Sequence, residues 1–465
     1  MTPSQFIDRA AAVLLIVLTA LFALREWGAG EPGPVIEGLV IVILVLLAVN
    51  VRLTRKAFVV VGLVLTAWVA LSADDWLSLA RQGLEKAAFV AAFFVALSTL
   101  RNAAESSPAL RKGGAFLAAQ PPGRRYAALT VGGHLFALLI NYGSISLLGS
   151  LASNAARSEG DPVIRGHRTR RMLLAIQRGF IASLTWSPLA FAMAITIALV
   201  PGATWASAVL PGLGSAVIIT MTGWAMDTIF KPRLRGNRPP PRKPEGSWSL
   251  MMPLLFLLVL LAVAVSAAHF LTGIRVVGVV MVIVPMIAVA WAVIQRIGLG
   301  REGTLRGRVR GYVTGELPGY RGEIVLLMMA GYIGTVGAPV LQPLLASLGF
   351  APESLPTWVV LTILVWIVPI LGQFGMNPIL AVTLISPMFP SPEALGIPPG
   401  AMVAAITAGW AMSGATSPFT ATTLLIGSFG GVSATHVGLR WNGGYFLVAT
   451  SILTLWVLTY AFVLS

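Results

Sequence analysis

Residues 126–156 read YAALTVGGHLFALLINYGSISLLGSLASNAA. The run is apolar almost throughout, yet it is too long for one crossing of a bilayer, which takes about 20 residues. It breaks near its middle at Asn141-Tyr142-Gly143-Ser144. A second run, Thr357–Phe389 (TWVVLTILVWIVPILGQFGMNPILAVTLISPMF), has the same form and breaks at Gln373-Phe374-Gly375-Met376-Asn377-Pro378. Two short helical arms that enter and leave on one side fit this pattern better than one helix does. Both runs therefore read as re-entrant hairpins.

Around them lie eleven runs of spanning length: Ala10–Leu24, Pro34–Val51, Phe58–Ser72, Ala87–Leu100, Met172–Val200, Thr204–Phe230, Trp248–Phe270, Leu271–Ile294, Glu323–Gly349, Pro399–Phe429 and Tyr445–Ser465. The expected fold class is an all-α polytopic membrane protein of about 11 transmembrane helices plus two re-entrant hairpins. Composition agrees. Of 465 residues 57% are hydrophobic and 11% charged, against about 25% charged in soluble domains. A soluble enzyme, a disordered chain and a coiled coil are excluded. With no cysteine, there is no disulfide framework, thiolate metal site or cysteine nucleophile.

The charge is +15, from 32 Lys and Arg against 17 Asp and Glu. Its placement argues topology rather than nucleic acid, because loops on the cytoplasmic side are rich in Lys and Arg. With the N-terminus inside, Arg52, Arg55, Lys56, Arg111, Lys112, Arg124, Arg125, Arg157, Arg165, Arg168, Arg170 and Arg171 all fall inside. So do the basic residues of Lys231–Ser247 and Leu299–Gly322, whereas the outer segments hold Arg25, Arg81, Lys86 and Arg275. The C-terminus is then outside, in a bacterial-type cytoplasmic (inner) membrane. The first span lacks a clean small-residue cleavage site after it, so it reads as a retained helix rather than a signal peptide.

The chain repeats itself. Asn141-Tyr142-Gly143 returns as Gln373-Phe374-Gly375, and Gly179-Phe180-x-x-Ser183-x-x-x-Ser187-Pro188 as Gly409-Trp410-x-x-Ser413-x-x-x-Ser417-Pro418. Ser107-Pro108-Ala109-Leu110 returns more weakly as Ala338-Pro339-Val340-Leu341. The expected organisation is an extra first helix (1–30), a first repeat (31–230, hairpin 126–156), a Pro-rich basic cytoplasmic linker (231–247) and a second repeat (248–465, hairpin 357–390). Each half has an odd number of spans, so the second is inverted. Inverted repeats with broken helices are the signature of many secondary transporters, whose sites form near the midplane.

The breaks are the candidate site. Irregular backbone survives at membrane depth only where protein or a cavity surrounds it. Gly143 is expected to take a positive φ at the first tip, with Ser144 and Ser146 capping the returning arm. At the second tip Asn377 is the natural cap and Pro378 fits the first helical position. The Ser-Pro pairs remove intrahelical bonds and free carbonyls. These carbonyls, with the hydroxyls of Ser183, Thr185, Ser187, Ser413, Ser417 and Thr420, are hard oxygen ligands suited to Na+. Asn141, Gly143, Ser144, Ser146, Gln373, Gly375, Asn377 and Thr416 are expected to contact the solute, and the free N–H groups of the returning arms suit an anion. Any one Ser or Thr could equally serve helix packing; the pairing of tips and breaks in both halves argues for function.

Ionisable residues inside apolar runs are few. Arg178, Asp227 and Glu323 lie near span ends, where a side chain can reach the interface. His134, within the first hairpin arm, is the candidate proton carrier. No carboxylate is expected at the site. A phosphate-binding Gly-Lys-Ser/Thr loop is absent, as are a zinc constellation and an arginine ladder, so neither ATP drive nor an intramembrane enzyme is supported.

This order of elements resembles the ion transporter superfamily, and within it the divalent anion:sodium symporter family. The shared order is an extra first span, then twice three spans, a hairpin, a broken span and a final span. The resemblance covers nearly the whole chain. It implies a homodimer and elevator-type movement of the hairpins and broken spans against a scaffold. Where that family carries Ser-Asn-Thr at the tips, this chain has Asn141-Tyr142-Gly143-Ser144 and Gln373-Phe374-Gly375. The expected function is secondary active transport of a small anionic organic solute coupled to Na+ or H+. Export or ion antiport on the same fold is the alternative, or a role in lipid or polysaccharide assembly. The expected partners are that solute and the lipid bilayer, without nucleic acid. No cofactor is expected beyond Na+ as a coupling ion.

Overall fold

The computed structural model describes residues 3–30, 32–105, 107–231, 246–299, 305–349 and 351–464. Its helices run α1 Pro3–Glu26, α2 Gly33–Asn50, α3 Leu53–Ser72, α4 Trp76–Glu105, α5 Pro108–Ala118, α6 Pro122–Ile140, α7 Gly143–Arg157, α8 Pro162–Ser183, α9 Phe191–Leu199, α10 Trp205–Ile229, α11 Met252–Thr272 and α12 Val276–Leu299. They continue as α13 Leu305–Gly311, α14 Leu317–Gly319, α15 Arg321–Ser347, α16 Thr357–Gln373, α17 Pro378–Ile385, α18 Pro399–Thr416, α19 Ala421–Gly430 and α20 Gly443–Thr459. No strand occurs among the described residues.

Among those residues, nine helices are long and apolar enough to cross a membrane. They match nine of the eleven expected runs. The other two runs, Met172–Val200 and Pro399–Phe429, are each split into two helices, α8/α9 and α18/α19. Each split falls at a Ser-Pro pair. The chain is an integral membrane protein. Most of the linker 231–247 and part of Leu299–Gly322 lie outside the described residues.

Two compact units emerge, each drawing on both halves of the chain. The first comprises Met1–Ala103, Val263–Ser354 and Ile379–Pro390. Within it α15 packs on α3, where Tyr332 shares a 2.6 Å hydrogen bond with Thr66. Ion pairs tie α1 to its neighbours: Arg25 to Glu85 at 3.0 Å, Arg275 to Glu26 at 2.6 Å, and Arg321 to Asp8 at 3.0 Å. Arg81 lies 3.6 Å from Glu37. Thus three of the four basic residues expected on the outer side each face a carboxylate, and that side gains little net charge from them. Residues such as Val45, Leu63, Trp68 and Leu71 are exposed; in a lipid solvent such side chains need no partner.

The second unit comprises Ala104–Ala262, Leu355–Pro378 and Ser391–Ser465. The second long run is thereby divided, with α16 here and nearly all of α17 in the first unit. Inside the second unit α6 lies on α8 and α16 on α18, with backbones in near contact. A Cβ on Gly179 would collide with the Thr130 carbonyl, and one on Gly409 would stand 2.8 Å from the Leu364 and Val365 carbonyls. Small residues at helix contacts allow this approach. Positions matched by the sequence repeat therefore make matching contacts.

Candidate functional site

The first tip is the two-residue link Asn141–Tyr142 between α6 and α7. The positive φ sits on Asn141, at 47°, and not on Gly143. Asn tolerates this region because its side chain is short and polar. What Gly143 supplies is room: a Cβ there would collide with the Glu105 carboxylate. Glu105 ends α4, beyond the apolar run Ala87–Leu100. The first tip therefore holds a carboxylate where none was expected. Capping is corrected too. No side chain caps α7; Ser144 Oγ instead donates to the Asn141 carbonyl at 2.7 Å. Ser146 is half-buried one turn into α7. Asn141 Oδ1 is buried without a hydrogen-bond partner.

The second tip, Phe374–Asn377, turns on Gly375, whose φ is +88°. Gln373 donates to the Pro369 carbonyl within its own helix at 3.3 Å. Asn377 stands immediately before Pro378, the first residue of α17. Tip and break are bonded here. Ser417 Oγ donates to the Gly372 carbonyl at 2.6 Å and accepts from Phe419 N–H at 3.3 Å. Ser413 Oγ is buried without a partner.

At the first break, Ser183 Oγ donates to the Phe180 carbonyl at 2.7 Å. Thr185 Oγ1 donates to the carbonyls of Ala182 and Gly212 at 2.9 and 2.8 Å. Ser187 Oγ accepts from Leu189 N–H at 3.2 Å. At the second break, Thr416 Oγ1 donates to the Met412 carbonyl at 2.9 Å, and Thr420 Oγ1 to that of Ser417 at 2.9 Å. Most of these hydroxyls thus bond to nearby backbone.

His134 is held on both sides. Trp186 Nε1 donates to its Nε2 at 3.1 Å. An indole N–H can only donate, so Nε2 accepts and Nδ1 carries the proton, 3.2 Å from the Gly179 carbonyl. Both ring nitrogens are engaged.

Arg178 departs most from expectation. It does not reach an interface: it is 4% exposed, the one charged residue so buried among those described. Its Nη1 donates to Tyr126 Oη at 2.9 Å and to the Gly223 carbonyl at 3.3 Å. Its Nη2 donates to Asn442 Oδ1 at 3.3 Å, and the Tyr445 ring lies 4.1 Å from its guanidinium carbon. No described carboxylate pairs with it. The acid on α10, Asp227, takes both arms of Arg171 at 2.8 and 2.6 Å. Burying a charge costs several kcal/mol. Three hydrogen bonds from a charged donor and a desolvated cation–π contact oppose that cost, while Arg178 Nε is buried without a partner.

Asn442 Nδ2 donates onward to Gln177 Oε1 at 2.9 Å and to the Ala415 carbonyl at 3.2 Å. Gln177 Nε2 reaches the Gly414 and Ala415 carbonyls of the second break at 3.2 and 3.3 Å. Residues of the first half thus bond directly to the break of the second. The sequence offered one signal: Gln177 and Arg178 precede the repeated Gly179 motif, while Thr407 and Ala408 precede its copy. Asn442 carried no signal.

The architecture is similar to two solved structures. One is the YdaH transporter of Alcanivorax borkumensis, with 16% identity over 87% of this chain and 98% of that one, and a TM-score of 0.58. The fold is a membrane-transporter fold. The other is MtrF of Neisseria gonorrhoeae, of a class of antimetabolite efflux pumps, with 14% identity over 90% of this chain and 96% of that one, and a TM-score of 0.54. No protein-family model matches the chain, and no curated protein matches it.

Proposed function

We propose that the chain is a secondary active transporter of a small anionic organic solute, coupled to a Na+ or H+ gradient and working by elevator-type movement. The observation that carries this reading is a pair of buried polar atoms without partners, Asn141 Oδ1 at one tip and Ser413 Oγ beside the other. Buried polar atoms are nearly always bonded, and a solute between the tips would satisfy both. The buried charge of Arg178, which no described carboxylate pairs with, favours an anion. Asn141, Gly143, Ser144, Ser146, Gln373, Gly375, Asn377 and Thr416 then face the solute, and coupling-ion contacts fall to the two breaks.

The reading keeps the resemblance to the divalent anion:sodium symporter family, the two inverted repeats, a homodimer, and a cytoplasmic membrane with N-terminus inside and C-terminus outside. The test is uptake of labelled small organic anions by proteoliposomes under imposed Na+ or H+ gradients. Gradient-driven accumulation of at least one anion is expected. Movement that ignores both gradients would overturn coupled transport. Export is the second reading, favoured by the likeness to MtrF; a reversed gradient in the same vesicles separates the two.

A further inference from the structure

We infer that Arg178, Asn442 and Gln177 form a donor relay that occupies the second helix break in place of a metal cation. The inference rests on the transport reading and changes one part of it: a coupling metal ion would be held at the first break alone and not at both.

The direction of each hydrogen bond sets the order of the relay. A guanidinium only donates and a carbonyl only accepts. Arg178 donates to Asn442 Oδ1, which turns Asn442 Nδ2 toward Gln177 Oε1 and the Ala415 carbonyl. Gln177 then presents Nε2 to the carbonyls of Gly414 and Ala415. Both amides are thereby oriented from one end of the relay, and neither can turn an oxygen toward the break.

Both carbonyls belong to the last turn of α18, where no helical N–H reaches them. At a helix C-terminus they carry partial negative charge, and in broken-helix transporters such carbonyls coordinate cations. Here each has a protein donor. Gly414 accepts from Gln177 and Thr422, and Ala415 from Gln177 and Asn442. The Ser417 carbonyl accepts from Thr420 at 2.9 Å and Thr423 at 2.5 Å. A metal cation entering the break must displace two amides and approach a buried positive charge that no described carboxylate neutralises. Among the described residues the first break has no counterpart to this relay: Ser183 and Thr185 donate to the Phe180 and Ala182 carbonyls of α8, and Trp205 Nε1 donates to the Trp186 carbonyl at 2.9 Å. Arg178 and Asn442 are positioning residues, and Gln177 is the group that fills the break.

The test is binding of 22Na+ to the purified full-length protein. Any saturable binding is expected to survive Thr423→Ala and to fall only with Ser183→Ala or Thr185→Ala; absence of saturable binding equally supports a break without a metal ion. Saturable binding that Thr423→Ala removes, while Ser183→Ala and Thr185→Ala leave it intact, overturns the inference. A second measurement compares thermal unfolding in NaCl and choline chloride. Any Na+-specific shift of the parent is expected to persist in Thr423→Ala. Gln177→Leu, which strips the donor from two carbonyls, is expected to gain a Na+-specific upward shift. A folded Gln177→Leu protein with no greater Na+-specific shift than the parent overturns the inference. If that variant does not fold, parent binding decides. Neither measurement needs a substrate, so failure of vesicle transport would count against the transport reading alone.

Discussion

His134 shows how a neighbour decides what a titratable side chain can do. Its position in a hairpin arm makes it the natural proton carrier from sequence. Its hydrogen bonds, from Trp186 and toward Gly179, fix a neutral tautomer. Taking up a proton at Nε2 would expel the indole donor. His134→Gln is therefore expected to leave the pH profile of vesicle uptake unchanged, while a flattened profile would restore His134 as the carrier. Glu105 is the reverse case. Beyond the end of its apolar run, it reads as a surface residue until the fold sets its carboxylate against Gly143.

The two broken helices have the same Ser-Pro grammar but unequal bonding. Ser417 both donates to the Gly372 carbonyl of its hairpin and accepts from Phe419. For Ser187 the hydroxyl accepts a single backbone N–H at 3.2 Å. Leaving a buried partner unsatisfied costs about 1–3 kcal/mol. Ser417→Ala, which orphans the Gly372 carbonyl and the Phe419 N–H, is thus expected to destabilise more than Ser187→Ala, which orphans the Leu189 N–H alone. Denaturation of the two variants in detergent checks the contrast; equal losses would mean that the tie between tip and break carries no weight. That both helices break was legible from proline alone, because proline removes a helical hydrogen bond wherever it stands. Which carbonyls remain available was not legible, because some of their donors, Gln177 on α8 and Asn442 just before α20, are remote in sequence.

Across the whole chain, charge placement makes the most direct prediction. With the basic loops inside, a reporter that works only outside the cytoplasm, such as alkaline phosphatase, is expected to be active when fused after Ser465. A fluorescent protein that needs the cytoplasm is expected to be dark there. The opposite pair of results would reverse the topology.

The amino-acid sequence by itself determined the solvent, the helical class, the approximate spans, and the four places where helices are interrupted. Hydrophobic run length, glycine and proline act locally, so these features do not depend on what packs where. The tertiary structure decided the rest. It placed the positive φ on Asn141, gave Gly143 its carboxylate neighbour, and buried Arg178 rather than letting it reach an interface. It also brought Gln177 and Asn442, 265 positions apart in the chain, into one relay. Hydrogen bonds and buried charges depend on distance in space, and no local pattern records which distant residue will supply the partner.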